Sequence, residues 1–303
     1  MKQILYDQWQ RKMPQPAEMM FGETYFVDGV NGSDTLHDGL SWPQAVATVG
    51  KAITLSNTNV ALAANIGKRN KIYVTAGSGM IYDEDLTVLP KQCDLIGVGF
   101  CYGTQTLIRG THTVATASQG THFYDFDFSI RTGNDAANFT LATAGCMQGL
   151  EFHRCNFTTG GISSGTIGVA LGNNIATKIL DCEFRGHTYG LKVTAPTQFC
   201  LCRIERNNIQ STTYGIWLSG NTTACYGTLI KDNVIAKEKR VSGTDELTYG
   251  FYSQSTNNDY YLVHNWIVAD DCIKFQDPSQ EARNCIDNSI IEDGTADRAT
   301  TYE

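Results

Sequence analysis

Several things are missing from this sequence. No stretch approaches the roughly 18 apolar residues that a membrane-spanning helix needs, and the opening MKQILYDQWQRK lacks the apolar centre of a signal peptide. No membrane partner is expected, and synthesis in a cytoplasm is. The ten Cys contain no CxxC pair and no His at zinc-finger spacing, so no metal site is assigned. Cys200 and Cys202, two apart on a strand, share one face and read as buried reduced thiols. Glycine loops of the GxGxxG or Walker type are absent, and no cofactor is expected. Positive charge is scarce as well. With 23 Lys+Arg against 31 Asp+Glu the net charge is −8, which argues against nucleic acid as a partner, because that affinity comes from clustered cations. The dense basic run Lys237–Arg240 reads as a solvated loop.

What the chain has is repetition. FDF (Phe126–Phe128), CNF (Cys155–Phe157), CEF (Cys182–Phe184), NNI (Asn207–Ile209), NVI (Asn233–Ile235), NWI (Asn265–Ile267) and NSI (Asn288–Ile290) end at intervals of 29, 27, 25, 26, 32 and 23 residues. A second motif follows in several units: YGLKV (Tyr189–Val193), YGIWL (Tyr214–Leu218), YGFYS (Tyr249–Ser253) and DCIKF (Asp271–Phe275). Both alternate apolar and other residues, the period of a half-buried strand. Short strands repeating every 25 or so residues between Gly/Asn/Thr turns fit a parallel β-helix, whose coils stack at the ~4.8 Å strand spacing. Eight or nine coils are expected from Lys71 onwards, with KIYVTAG, CDLIGVG and QTLIRGT as early strand–turn units.

The register makes its own predictions. The first and last residues of each triplet face inward, so Asn207, Asn233, Asn265 and Asn288 stack as an internal amide ladder. One place earlier stand Asp125, Arg154, Asp181, Arg206, Asp232, His264 and Asp287. Their sign alternates on every coil, which predicts an outer ion-pair ladder rather than a row of catalytic groups. The 32-residue interval holds an insertion, Ala236–Thr248, expected to protrude as a loop.

With the coils placed, Tyr25–Ile53 (YFVDGVNGSDTLHDGLSWPQAVATVGKAI) resembles the opening segment of right-handed β-helix proteins of the pectate-lyase-like superfamily. The resemblance is especially to phage tail spikes and other virion β-helices. Tyr25, Val27, Asp28, Gly32, Asp34, Gly39, Ser41, Ala45, Thr48, Ala52 and Ile53 carry the likeness. The resemblance implies a first strand, then a short amphipathic helix over WPQAVATVGKAI plugging the open end. Ser41 is then a candidate N-cap, Pro43 sits in the first turn, and Ala45, Val49, Ala52 and Ile53 lie on one face. The Asp- and Gly-rich DGVNGSDTLHDG does not have calcium-loop spacing and reads as a crossing turn.

Catalysis would need paired carboxyls about 5–5.5 or 6.5–9.5 Å apart. Asp127 and Glu183 occupy equivalent outward places two coils apart, roughly 10 Å. Asp181 neighbours Glu183 along one strand, and Glu151 and Glu205 lie on other coils. Any β-helix with outward acids supplies such a set, and no catalytic residue is assigned; a polysaccharide lyase or glycoside hydrolase acting as a tail spike is the alternative function. Arg154, Arg203 and Arg206 could serve a lyase, but ladder Asp residues claim them. The six His carry no metal motif. Trp217, Trp266, Tyr260 and Tyr261 are candidates for stacking on a host-surface glycan.

Residues 1–22 have no place in a coil. Ile4, Leu5, Tyr6, Trp9, Met13, Met19, Met20 and Phe21 make this arm adhesive, and Pro14 and Pro16 favour extended backbone. Virion β-helices use such an arm to bind the particle. The expectation is an all-β chain, a single-stranded right-handed parallel β-helix over 71–303, an opening strand and capping α-helix over 23–70, and an extended N-terminal arm over 1–22. By resemblance it is a homotrimer, made in a host cytoplasm and displayed on a virion surface. The arm would bind a capsid or tail protein, in a head decoration or cement protein or a short tail-spike-like protein. A cellular carbohydrate-binding module is a third reading.

Overall fold

The computed structural model describes residues 21–65, 67–76, 80–99, 106–114, 118–131, 137–141, 147–159, 166–194, 198–219, 225–237, 247–254, 258–275 and 285–292. Its architecture is a right-handed parallel β-helix. The first face is a ten-stranded parallel sheet that adds one strand per coil, in chain order: Phe21–Val27, Arg69–Thr75, Cys93–Val98, Thr121–Tyr124, Glu151–His153, Lys178–Leu180, Arg203–Glu205, Cys225–Lys231, Asn258–Val263 and Cys285–Ile286. Nine of these begin at Arg69 or later, in line with the coil count expected from the repeats. A 14-stranded sheet forms the other two faces. Its second-face strips include Phe126–Ser129 and Asn156–Thr158, and its third-face strips include Ile167–Leu171, Tyr249–Ser253 and Asp271–Phe275. The long strands Glu183–Thr194 and Asn208–Ser219 run around the corner and serve both.

Two columns of left-handed residues turn the chain. Between the first and second faces, Asp125, Arg154, Asp181, Arg206, Asp232, His264 and Asp287 all have φ between 47° and 63°. These are the seven alternating-charge positions, so each is a bend residue as well as a ladder member. Asp and His are among the side-chain-bearing residues that adopt this conformation most often; Arg does so less readily. Its Asp neighbours above and below offset part of that cost, for example Arg154 Nε to Asp125 at 2.7 Å and Arg206 Nε to Asp181 at 2.7 Å. A second column leads into the first face: Gln92, Gly120, Gly149, Ala176, Leu201 and Gly227.

Inside, the triplet residues point as expected. Phe126, Phe128, Cys155, Phe157, Cys182, Phe184, Asn207, Ile209, Asn233, Ile235, Asn265, Ile267, Asn288 and Ile290 are all buried. The amide ladder is complete: Asn207, Asn233 and Asn265 each donate Nδ2–H to Oδ1 of the next Asn at 2.9 Å. Cys93, Cys155, Cys182, Cys200, Cys202, Cys272 and Cys285 are buried thiols outside any disulfide. In the YG motif the glycine is required by close approach. A Cβ on Gly190, Gly215 or Gly250 would stand 2.4, 2.3 or 2.1 Å from the Cγ2 of Ile209, Ile235 or Ile267. No side chain fits at that corner.

The N-terminal end differs in detail from expectation. Trp42–Gln44 is only a 3-10 turn, and Ser41 makes no side-chain cap. Val46 continues extended and bridges Val27. The helix, α1, spans Val49–Val60 with Thr48 as N-cap. Backbone pairing with Val27 holds the chain straight through Val46, so the helix begins only when that pairing ends. Ala45, Val49, Ala52 and Ile53 are nevertheless all buried. Glu84 from a later coil accepts from the Val49 and Gly50 N–H groups at 2.9 Å each, anchoring the helix start. Pairing with Arg69 also starts at Phe21, two residues before the opening-strand segment expected to begin at 23.

Candidate functional site

The opening turn is structural. Asp28 Oδ1 accepts from the Val30 and Asn31 N–H groups, and Asp34 accepts from Ala47 N, Thr48 N and Thr48 Oγ1. These carboxylates are consumed by backbone, and no group of three or more potential metal ligands occurs among the described residues.

The five candidate acids are not gathered in one place. Glu151 and Glu205 stand on the first face, Asp181 in the bend, and Asp127 and Glu183 on the second face. Glu205 is buried and accepts from Arg203 at 2.6 and 3.0 Å and from Arg206 at 3.3 Å. Asp181 takes a bidentate pair from Arg206, whose hydrogen bond holds its carboxyl below the usual range. Glu151 accepts from Lys178 at 2.6 Å and is 2.8 Å from His153 Nε2. Burial works to raise its pKa, but His153, Lys178 and His122 outweigh that and hold it at about 2. Next to it, His122 Nδ1 lies 3.1 Å from Asp94, which Arg69 also clamps at 2.7 Å. This Asp94–His122–Glu151–Lys178 chain escaped the sequence reading, because its members are single residues spaced one coil apart.

Asp127 and Glu183 are the exception. They flank Asn156 in one outward column, as the register requires. Glu183 is clamped by Arg185 through Nε at 2.7 Å and a second contact from Nη2, and it accepts from Asn208 Nδ2 at 3.3 Å. Asp127 has a buried Oδ1 with no hydrogen-bond partner. Burial, then the nearby Glu183, pushes its pKa up to about 6. One carboxyl is thus protonatable near neutrality while the other is held by a guanidinium.

The third face carries an aromatic array. Tyr189, Tyr214 and Tyr249 fill one outward column, ahead of Asp271, and Lys192, Trp217, Tyr252 and Lys274 the next. The tyrosines stack at 5.0 and 5.1 Å between ring centroids, and Trp217 lies 5.0 Å from Tyr214 and 5.2 Å from Tyr189, all nearly parallel. Lys192 Nζ sits 4.4 Å from the Trp217 centroid and Lys274 Nζ 5.0 Å from that of Tyr249. Of the predicted stacking residues, Trp217 belongs here. Trp266 and Tyr261 are exposed elsewhere, and Tyr260 is fully buried against Phe251 and Phe275. The Tyr column was visible in the sequence as the first letter of YGLKV, YGIWL and YGFYS; its continuation three residues later was not.

His112 and His187 are core residues. His112 accepts from Leu86 N–H, and burial lowers His187 to about 4. Ile4, Leu5, Tyr6, Trp9, Met13, Met19 and Met20 lie outside the described residues, as do positions 238–246 of the insertion; Phe21 is described only as the first residue of its strand.

No protein-family model matches the chain, and no curated protein does. Solved structures do resemble it. An alanine mutant of a pectin methylesterase in complex with a hexasaccharide is similar at a TM-score of 0.51 and 11% identity, over 92% of this chain and 91% of that one. A deglycosylated pectin methylesterase from Aspergillus niger is similar at 0.46 and 17%, over 93% and 91%. At these identities the likeness speaks to the β-helix fold alone.

Proposed function

We propose that this chain is a virion structural protein: a homotrimeric β-helix on the particle surface, as a head decoration or short tail-spike-like protein, held by its N-terminal arm. The observation that carries the reading is the position of the first strand. It starts at Phe21 and pairs directly with Arg69, while α1 packs beside it. The adhesive residues 1–20 therefore precede the first strand in the chain. The likeness of Tyr25–Ile53 to virion β-helices supports the setting. The cation-bound acids support a structural role, since Asp125, Glu151, Asp181 and Glu205 are all engaged by Lys or Arg. The test is deletion of residues 1–20. The truncated chain should keep its β-sheet circular dichroism and lose binding to particles that lack the endogenous protein. Unchanged particle binding would sink the reading.

A second reading, a polysaccharide-degrading spike, is favoured by the raised Asp127, whose Oδ1 lacks a hydrogen-bond partner, two coils from Arg185-clamped Glu183. It requires that the chain depolymerise host capsule or lipopolysaccharide, and that Asp127→Asn and Glu183→Gln each abolish the activity while leaving the fold intact.

A further inference from the structure

The third-face array has a composition that neither the coil nor the ion-pair ladders require. Its outward columns run Tyr189–Tyr214–Tyr249–Asp271 and Lys192–Trp217–Tyr252–Lys274, one member per coil. The rings are half-exposed and lock one another by stacking, so they present a surface whose shape is set before any ligand arrives. The two ammonium groups close the ends of the second column, about three strand spacings or ~14 Å apart.

We propose that this array binds an acidic oligosaccharide laid along the helix axis, and retains it without cleaving it. Three features select that occupant. Sugar rings offer C–H-rich surfaces to aromatic groups and hydroxyls to the phenolic oxygens, which suits a row of Tyr and Trp. Lys192 has no carboxylate within ion-pair distance among the described residues, although the chain carries a net charge of −8. Instead its ammonium rests on the Tyr189 and Trp217 rings at 4.8 and 4.4 Å, and burial lowers its pKa. An incoming carboxylate would supply the counter-charge it lacks. At the far end, Lys274 is held by Asp271 at 2.9 Å over the Tyr249 ring, a second cation already fixed in place. Two cations are too few for a nucleic-acid backbone, where affinity grows with the number of phosphates neutralised. Asp271 is the sole carboxyl of the two columns and is engaged by Lys274, so the array has no acid–base pair with which to break a glycosidic bond. Lys192 is assigned to the carboxylate, the rings to the sugar surface, and Lys274 to the opposite end.

The test uses the full-length chain, a uronic-acid tetrasaccharide and its carboxyl-reduced neutral counterpart. Titration calorimetry should show the acidic sugar binding about tenfold tighter or more than the neutral one. Lys192→Gln should erase that preference, Lys192→Arg should keep it, and Trp217→Ala should weaken both sugars. Circular dichroism confirms the fold of each variant. The recovered tetrasaccharide should be intact. Equal affinity for the two sugars, no binding of either, an unaffected Lys192→Gln, or shortened sugar products would each overturn the proposal. So would an oligomer in solution that Tyr252→Lys dissociates, because the face would then be covered by a second copy.

Discussion

In the coils before residue 185, the inward position just after the first bend holds Phe126, Cys155 and Cys182; after it the same position holds Asn207, Asn233, Asn265 and Asn288. Both halves must satisfy the same carbonyls, one per coil. In the later coils Asn Nδ2 donates to Ile179, Ile204, Ile230 and Leu262 O at 2.9–3.0 Å. In the earlier coils the Cys155 and Cys182 Sγ atoms reach the equivalent Phe123 and Phe152 carbonyls at 3.7 and 3.5 Å. A thiol is a weak donor, so those coils gain little there. They are held instead by aromatic packing, with Phe123 on Phe152 at 5.2 Å and Phe157 on Phe184 at 4.7 Å. One bend geometry therefore tolerates two chemistries, and each half has its own weak point.

The contrast can be broken most sharply at Phe152. Phe152→Ala should cost about 3–5 kcal/mol in urea unfolding, because the cavity opens among four neighbouring Phe rings. Asn233→Ala comes next, at roughly 2–4 kcal/mol. It leaves the Asn207 N–H and the Ile204 carbonyl without their buried partners, at about 1–3 kcal/mol each. Cys182→Asn sharpens the comparison: it extends the ladder by one coil and should stay within about 1 kcal/mol of the parent. A loss comparable to Asn233→Ala would mean that the earlier coils cannot accept the amide solution.

The earlier coils also carry opposing acid–base responses. For Asp94 burial works upward, but His122 and Arg69 outweigh it and hold the carboxyl at about 2; Glu151 is held at about 2 as well. Both folded values lie below the unfolded ones, so their contribution is present above pH about 4 and fades as pH falls towards about 2. Asp127 runs the other way. Its folded value of about 6 exceeds the unfolded one, so its contribution is full below about 4 and lost as pH rises through about 6. Asp127→Asn should raise the thermal midpoint above that pH and change little in acid. A flat difference across the range would contradict the buried setting of this carboxyl. The smallest effect belongs to the outer ladder: His264→Arg, between Asp232 and Asp287, should add at most about 1 kcal/mol, since all three groups are well exposed.

Much of the fold was legible because β-helix coils repeat one local geometry. Inward Phe128, Phe157 and Phe184 recur at coil spacing, and alternating Asp and Arg between coils can be recognised without a structure. The start of α1 was not legible, since Ser41 and Pro43 look like a helix start until Val46 pairs with Val27. Of the candidate site, the Asp127–Glu183 register was legible, but the raised Asp127 was not, because burial depends on what covers an outward residue. Tyr260 misled for the same reason: YY offers two rings, and only the strand phase says which faces inward.

By itself, the sequence determined the period, the inward residues, the amide ladder and the charge alternation, because each follows from a residue meeting its own counterpart one coil away. The tertiary structure alone decided which acids are engaged, where the helix begins, and that two columns of aromatic rings share one face with Lys192. Those outcomes depend on neighbours in other columns, and the phase between columns is set by how each coil turns its corners.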